Sequence, residues 1–245
     1  MIGQDMNKVI YLLCGLLCDR VVWEAQASAL QSAHEIRVIS FEGLDSMQAM
    51  ADKVLAYAPE RFALAGHSMG GRVALEVYRR APQRVERLAL LDTGYEPVAP
   101  GEAERRALLV DKALQEGIGA IAATWGLPML APANRNDPLL VQAVVDMVGR
   151  MSGPIYAGQT RALLGRPDAS EVLKHVTCPA MVICGKEDGW SPPERHERMA
   201  ALMPAAQLRL IDGAGHMAMM EAPGAVLAAL QEWLALPTTT ILEEI

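Results

Sequence analysis

A strand pattern passes directly into a helix pattern in residues 61–78, and this junction limits the folds that the chain can adopt. Residues 62–65 form an apolar run of strand length, and apolar residues recur at helical spacing from Val73 onwards. Between them, residues 66–70 read G-H-S-M-G, which has the form G-x-S-x-G. In this form a serine lies on a sharp strand-to-helix turn with its hydroxyl exposed, and glycines avoid a clash of Cβ atoms. The junction therefore predicts an α/β protein with a serine presented at a strand end.

Apolar runs of strand length alternate with helical patterns along most of the chain. Near-continuous apolar strands separated by helices are typical of a parallel sheet that helices cover on both faces. We therefore expect an α/β fold with a mostly parallel sheet of about six or seven strands. The strand patterns lie at 9–13, 36–39, 62–65, 85–91, 180–184 and 207–211.

The alternation stops after the strand that ends near Asp92. No strand pattern follows until residue 180, and a block of helical patterns takes its place at 102–116, 118–125, 137–151 and 155–164. Helices inserted between two strands of such a sheet are typical of a cap over a binding cavity. We accordingly predict a division of the chain into an α/β core formed by 1–94 and 167–237, a helical cap formed by 95–166 and a tail at 238–245.

Bulky apolar side chains in and near the predicted cap are candidates for the wall of a substrate pocket. The alternative is that they pack the cap helices against one another, and the pattern leaves both interpretations open. These candidates are Trp125, Met129, Met147, Trp190 and Met217.

Composition excludes several classes of protein. Apolar residues make up 51% of the chain, and the 29 acidic and 22 basic residues give a formal charge of -7 without clusters of Lys and Arg, which argues against nucleic-acid binding. No apolar run approaches the length of a membrane helix, so we expect no membrane partner. The four cysteines lack the spacing of a metal site, so we expect no metal and no cofactor, and free thiols favour a cytoplasmic location.

Polar or glycine-rich turns follow four of the predicted strands, and in a parallel sheet these strand ends meet at one edge. The turns supply a serine, an acid and a histidine, in the chain order Ser68, Asp188 and His216. A serine hydroxyl needs an imidazole to take its proton, and the imidazole needs a carboxylate to fix its tautomer. Asp92 is the main rival for the acid because it also follows a strand, and Asp212 or Glu187 could be nominated on proximity alone.

Three motifs resemble those of the α/β-hydrolase superfamily, and the resemblance covers about residues 9–236. They are A-G-H-S-M-G-G at 65–71, G-K-E-D at 185–188 and G-A-G-H at 213–216. The resemblance implies Ser68 as nucleophile, His216 as general base and then acid, and Asp188 as its orienting partner. It also implies an oxyanion hole formed by the backbone N–H groups of Met69 and Leu16, although members commonly carry His-Gly where this sequence has Cys14-Gly15.

The resemblance implies a serine hydrolase, and we expect a carboxylesterase that acts on small to medium apolar esters or lactones through an acyl-enzyme. Alternatives are a C–C bond hydrolase or enol-lactonase of aromatic degradation, a cofactor-free perhydrolase or haloperoxidase, and a non-catalytic ligand-binding protein. The sequence leaves a monomer and a homodimer open.

Other histidines and arginines have simpler interpretations. We expect His67 to support the structure, and His34, His175 and His196 to be exposed or to cap helices. Arg72, Arg161 and Arg166 could hold a substrate carboxylate, but we favour a role on the solvated surface.

Overall fold

A computed structural model of the chain describes residues 8–237. These residues form a single six-stranded sheet with the order β2-β1-β3-β4-β5-β6, and every neighbouring pair is parallel. The predicted parallel α/β sheet is therefore confirmed. Its strands are β1 Val9–Leu13, β2 Glu35–Ile39, β3 Phe62–His67, β4 Val85–Leu91, β5 Ala180–Gly185 and β6 Ala206–Ile211.

Burial along the strands follows their position in the sheet. The inner strands β3 and β5 are buried at every residue, whereas the edge strands β2 and β6 are largely half-buried or exposed. A central parallel strand is covered on both faces by crossover helices, so it needs apolar side chains on both sides. This is why the inner strands appear in the sequence as unbroken apolar runs.

Eleven α-helices connect and cover the strands within the described residues. Seven of them connect successive strands or follow the last one, and of these α8 directly precedes β5: α1 Glu24–Leu30, α2 Met47–Tyr57, α3 Met69–Arg80, α8 Ser170–Lys174, α9 Pro193–Leu202, α10 Ala218–Glu221 and α11 Pro223–Ala235. The other four lie between β4 and β5: α4 Glu102–Glu116, α5 Gly119–Gly126, α6 Pro138–Gly149 and α7 Gly153–Leu164. Short 3-10 helices add Arg20–Trp23, Pro82–Arg84, Leu127–Met129 and Pro132–Asn136.

We call α4–α7 the cap helices. They pack in pairs, α4 with α7 and α5 with α6. The α4–α7 pair is close because Gly153 has no side chain, and a Cβ there would lie 2.5 Å from the Ala113 carbonyl oxygen. The cap helices also bond to the loops of the sheet: Gln159 accepts a hydrogen bond from the N–H of Leu17, and Arg150 pairs with Asp19 at 2.6 Å.

The predicted tail at 238–245 lies outside the described residues. Across residues 8–237, we find no helix with both the length and the apolar character that crossing a membrane requires.

Candidate active site

Ser68 lies at the turn between β3 and α3 with φ 52° and ψ −117°. Positive φ is costly for a residue with a Cβ, and it persists only where the surroundings enforce it. Here the surroundings are close: a Cβ on Gly66 would overlap the Gly70 carbonyl, and one on Gly70 would overlap the Leu13 carbonyl of β1. The glycines therefore permit the tight turn that holds Ser68 at the carboxyl edge of the sheet.

The structure brings Ser68, His216 and Asp188 together in one hydrogen-bonded chain. Ser68 Oγ lies 2.9 Å from His216 Nε2, and His216 Nδ1 lies 2.8 Å from Asp188 Oδ2. With the proton on Nδ1, His216 donates to Asp188 and can accept the serine proton at Nε2. This geometry has the spacing that general-base activation of a serine requires.

Asp188 is oriented through both of its oxygens. Oδ1 accepts the N–H groups of Trp190 and Ser191, each at 2.8 Å, which leaves Oδ2 for His216. Burial on its own would raise the pKa of Asp188, but the charge and hydrogen bond of His216 and the two backbone donors outweigh it and lower the pKa. Asp188 is therefore held as a carboxylate facing the imidazole.

Glu221 holds the loop that carries His216, and no sequence pattern singled it out. One carboxylate oxygen accepts the N–H groups of Gly215 at 2.9 Å and Met217 at 3.1 Å, on either side of the histidine. The other accepts the N–H of Ala131 at 2.7 Å, beyond α5. Since the N–H of His216 itself donates to the Met129 carbonyl at 2.7 Å, the histidine loop and the 129–131 segment are joined at several points.

Two further histidines are buried near this chain. His67 Nε2 lies 2.9 Å from the His216 carbonyl oxygen, and burial together with the neighbouring His216 lowers the pKa of His67 to about 3. His196 is fully buried, and its Nε2 accepts the N–H of Thr93 at 2.9 Å. Burial lowers the pKa of His196 to about 4, so both rings are neutral structural groups. The prediction that His196 is exposed or caps a helix was wrong, because α9 packs this side chain against the end of β4.

Asp92 lies beside Asp188 but bonds elsewhere. Its Oδ1 accepts the N–H of Gly185 at 2.8 Å, and it is fully buried. Burial and the charge of Asp188 both raise its pKa, which favours a neutral acid.

Ligand atoms of Asp92, Cys184 and Asp188 lie within 4.8 Å of one another, but this group does not fit a metal ion. Burial raises the pKa of the Cys184 thiol, and Asp188 is already engaged by His216 and two N–H groups.

The loop after β1 lies close to Ser68. A Cβ on Gly15 would lie 3.2 Å from the Ser68 Cβ, and the next residue, Leu16, lines the same cavity as Ser68 and Met69. The loop turns through Leu17 at φ 57°, and the N–H of Leu17 donates to Gln159 Oε1 at 2.9 Å. The buried Gln159 of α7, which sequence analysis missed, therefore fixes the loop that carries Leu16.

A cavity of about 600 Å³ opens in front of Ser68 and His216, between the strand ends and the cap helices. Of the predicted wall residues, Trp125, Met129 and Trp190 line this cavity. Met147 and Met217 are completely buried and are not among the residues that line it. For these two the packing interpretation holds, and their prediction as pocket residues was wrong.

Arginines contribute to the same wall, contrary to the surface role that the sequence favoured. Arg72 and Arg166 line the cavity, and Arg166 is only 9% exposed. Arg161 is exposed and pairs with Asp45 at 3.3 Å, as a surface residue does. The helical pattern could not distinguish these cases, because they depend on where the loop after β4 lies.

Comparison with known proteins agrees with this architecture. A sequence model of the alpha/beta hydrolase family matches residues 12–230 of this chain. A putative carbamate hydrolase RutD of Yersinia enterocolitica is 27% identical, over 85% of this chain and 81% of that protein. A pimeloyl-[acyl-carrier protein] methyl ester esterase of Vibrio campbellii is 24% identical, over 95% and 96%.

Solved structures of hydrolases share the fold of this chain. A thermophilic esterase from Thermogutta terrifontis, solved with malate bound, has a TM-score of 0.82 and 31% identity, covering 95% of this chain and 90% of that one. The enol-lactonase of Burkholderia xenovorans has a TM-score of 0.85 at 22% identity, with 96% and 93% covered, a likeness of fold alone. A family model spans most of the chain, the sheet has six parallel strands, and a serine lies at a strand-to-helix turn. The chain therefore belongs to the α/β hydrolase family and is a hydrolase.

Proposed function

We propose that this protein is a serine carboxylesterase in which Ser68, His216 and Asp188 act as the catalytic triad. The observation that carries the proposal is the continuous chain from Ser68 Oγ to His216 Nε2, at 2.9 Å, and from His216 Nδ1 to Asp188 Oδ2, at 2.8 Å. Membership of a hydrolase family and relatives named as esterases support it. The substrate is a small or medium-sized ester or lactone.

Acylation begins when Ser68 Oγ attacks the substrate carbonyl carbon while His216 Nε2 takes the hydroxyl proton. Asp188 stabilises the imidazolium that forms, and it keeps the reactive tautomer in place beforehand. The negative charge that develops on the carbonyl oxygen is then stabilised by the N–H groups of Met69 and Leu16, which we propose as the oxyanion hole. His216 returns the proton to the leaving alcohol, and an acyl-Ser68 ester remains.

Deacylation repeats these steps with water as the nucleophile. His216 takes a proton from the water, the hydroxide oxygen attacks the acyl carbonyl, and the proton passes to Ser68 Oγ as the acid leaves.

The apolar wall of Trp125, Met129 and Trp190 supports binding of the carbon skeleton of the substrate. We propose that residues 95–166 act as the cap of this site, and the free cysteines support a reducing, cytoplasmic location.

Carbamate hydrolysis is a second candidate, since a relative that matches 85% of the chain is named a putative carbamate hydrolase. A carbamate would carbamoylate Ser68 through the same steps. Comparison of a 4-nitrophenyl ester with the corresponding 4-nitrophenyl carbamate ranks the two, because the leaving group is the same.

The decisive experiment is labelling with a fluorophosphonate probe and peptide mass spectrometry. We expect one adduct, on Ser68, together with turnover of 4-nitrophenyl butyrate. Ser68→Ala should abolish both while leaving thermal stability nearly unchanged, and the exposed Ser32→Ala serves as the matched control. Full activity in Ser68→Ala, or a wild-type protein that is neither labelled nor active, would refute the proposal.

A further inference from the structure

The cavity in front of Ser68 has a strongly cationic side, although the whole chain carries a formal charge of -7. Five arginines and two glutamates line it. Within the described lining the charged groups are Arg72, Arg105, Arg106, Arg166, Arg195, Glu96 and Glu102. A cavity that concentrates positive charge in an acidic protein attracts anions to that point of its surface.

Both glutamates are already used by arginines. The two oxygens of Glu102 accept hydrogen bonds from Arg166 at 2.7 and 2.6 Å, and one of them also accepts from Arg106 at 2.9 Å. Glu96 pairs with Arg195 at 3.2 Å. The acidic groups of the wall are therefore bound to three of the five guanidinium groups.

Arg72 is left without such a partner. Its Nη1 donates to the backbone carbonyl of Glu96 at 2.9 Å, and Nε and Nη2 make no hydrogen bond to any residue between 8 and 237. No carboxylate in that described part of the chain lies within ion-pair distance of it. Burial, followed by repulsion from Arg166, lowers the pKa of Arg72 to about 9 against the opposing effect of the Glu96 and Glu102 charges, so Arg72 is still charged at neutral pH.

Arg72 also lies close to the reacting serine. Its N–H donates to the Ser68 carbonyl at 3.3 Å in the first turn of α3, so its backbone lies one helical turn from the nucleophile, a rise of about 6 Å. Its side chain lines the same cavity as Ser68 and His216. A group bound by Arg72 therefore shares this cavity with a carbonyl held at Ser68.

We propose that Arg72 is the anchor of a subsite for a substrate carboxylate, so that the preferred ester or lactone carries a negative charge a few carbon atoms from the scissile carbonyl. The planar guanidinium fits a carboxylate through two parallel hydrogen bonds, and Nε and Nη2 form the free side of that fork. Trp125 and Tyr156 line the same cavity and offer apolar surface for the carbon skeleton of such a substrate. This assignment rests on the proposed esterase function and names its substrate class.

Matched pairs of esters test the subsite. The first pair is mono-4-nitrophenyl glutarate and its methyl ester, which differ by one charge in the acyl part. The second is 4-(butanoyloxy)benzoate and its methyl ester, which differ by one charge in the leaving group. After subtraction of the uncatalysed rate, we expect kcat/KM of the wild-type protein to favour the charged member of at least one pair by about tenfold or more.

Variants identify the residue responsible. Arg72→Gln should reduce the charged-to-neutral ratio of kcat/KM by about 10- to 100-fold, the range that loss of hydrogen bonds to a charged group produces. The exposed Arg161→Gln removes the same charge outside the cavity and should keep the wild-type ratio. A wild-type protein without preference in either pair, or an unchanged ratio in Arg72→Gln, overturns the proposal.

Two measurements keep the test independent of folding and of the esterase proposal. If Arg72→Gln does not fold, inhibition of the wild-type protein by glutarate but not by the neutral glutaramide supports the subsite, and equal or absent inhibition refutes it. If no ester is hydrolysed and Ser68 is not labelled, the proposed reaction fails by itself. Calorimetric binding of glutarate by the wild-type protein and its loss in Arg72→Gln still decide the subsite.

Discussion

Asp188 and Asp92 are neighbouring buried carboxyl groups with different hydrogen bonds, and replacing each with Asn should separate their roles. In Asp188→Asn, the side-chain carbonyl must still accept the N–H groups of Trp190 and Ser191. The new NH2 group therefore faces His216 Nδ1, which must then be unprotonated, and Nε2–H points at Ser68. In this tautomer the imidazole cannot take the serine proton. We expect kcat to fall by about 10⁴-fold, the loss seen for this change in a serine protease, which corresponds to about 5.4 kcal/mol.

Asp92→Asn should behave differently because Asp92 makes no hydrogen bond to His216. Its Oδ1 accepts the N–H of Gly185, and an amide carbonyl can do the same. Since burial and Asp188 raise the pKa of Asp92, the neutral Asn resembles the form that the fold favours. We expect kcat to stay within about threefold of the wild-type value, less than 1 kcal/mol.

The same pair predicts a pH dependence of stability. An acid whose pKa is raised in the folded state destabilises the fold as pH rises above its unfolded value, near 4, because the unfolded chain releases the proton first. Asp92→Asn removes this loss. Its denaturation midpoint relative to that of the wild-type protein should therefore rise between about pH 4 and pH 7, and it should be independent of pH below about pH 4.

The assays are steady-state hydrolysis of 4-nitrophenyl butyrate and urea unfolding followed by circular dichroism from pH 3 to 8. The reasoning is refuted if Asp92→Asn loses more activity than Asp188→Asn. That ranking would make Asp92 the acid of the triad.

Two further predictions concern residues that hold the site. Glu221→Gln should lower both the melting temperature and kcat, because either the N–H groups of Gly215 and Met217 or the Ala131 N–H and the Asn134 amide lose their acceptor, at a cost of about 1–3 kcal/mol. The exposed Glu197→Gln should change neither. Normal activity in Glu221→Gln would contradict this role. Glu102→Gln should be less stable than the wild-type protein at pH 7. Burial opposes ionisation of Glu102, but Arg166, the N–H of Ala99 and Arg106 together outweigh it and lower the pKa from 4.5 to about 2, so the stabilisation is present above pH 4.5 and is lost as pH falls towards 2. Urea unfolding at several pH values, with Glu104→Gln as control, measures the difference, and a difference independent of pH would count against the ion pair.

The strands were predictable because of their burial. The predicted runs 9–13 and 85–91 coincide with β1 and β4. A strand covered on both faces has no polar position until it reaches the edge of the core, so the apolar run and the strand end together. The ends of the cap helices were less accurate: the pattern at 137–151 corresponds to α6 at Pro138–Gly149. Ser152 begins the next helix by accepting the N–H of Ile155, a local choice that periodicity does not reveal.

Some polar side chains of the site could be predicted from the sequence and others could not. Ser68, Asp188 and His216 each follow a strand directly, so the sheet alone was enough to predict that they meet. Arg72, Glu221 and Gln159 lie on helices, and their partners are about 24 to 142 residues away or on loops whose course the sequence does not specify. Their roles therefore became visible only in the folded chain.

Local sequence thus determined the sheet, the turn at Ser68 and the chain order of Ser68, Asp188 and His216, because apolar runs, glycines and strand ends act over a few residues. Tertiary structure alone decided which side chains line the cavity. Met147 and Met217 were buried by packing, whereas Arg72 and Arg166 were brought to the cavity wall. Long side chains reach whichever surface the rest of the chain leaves open, and that surface exists only once the cap helices lie against the sheet.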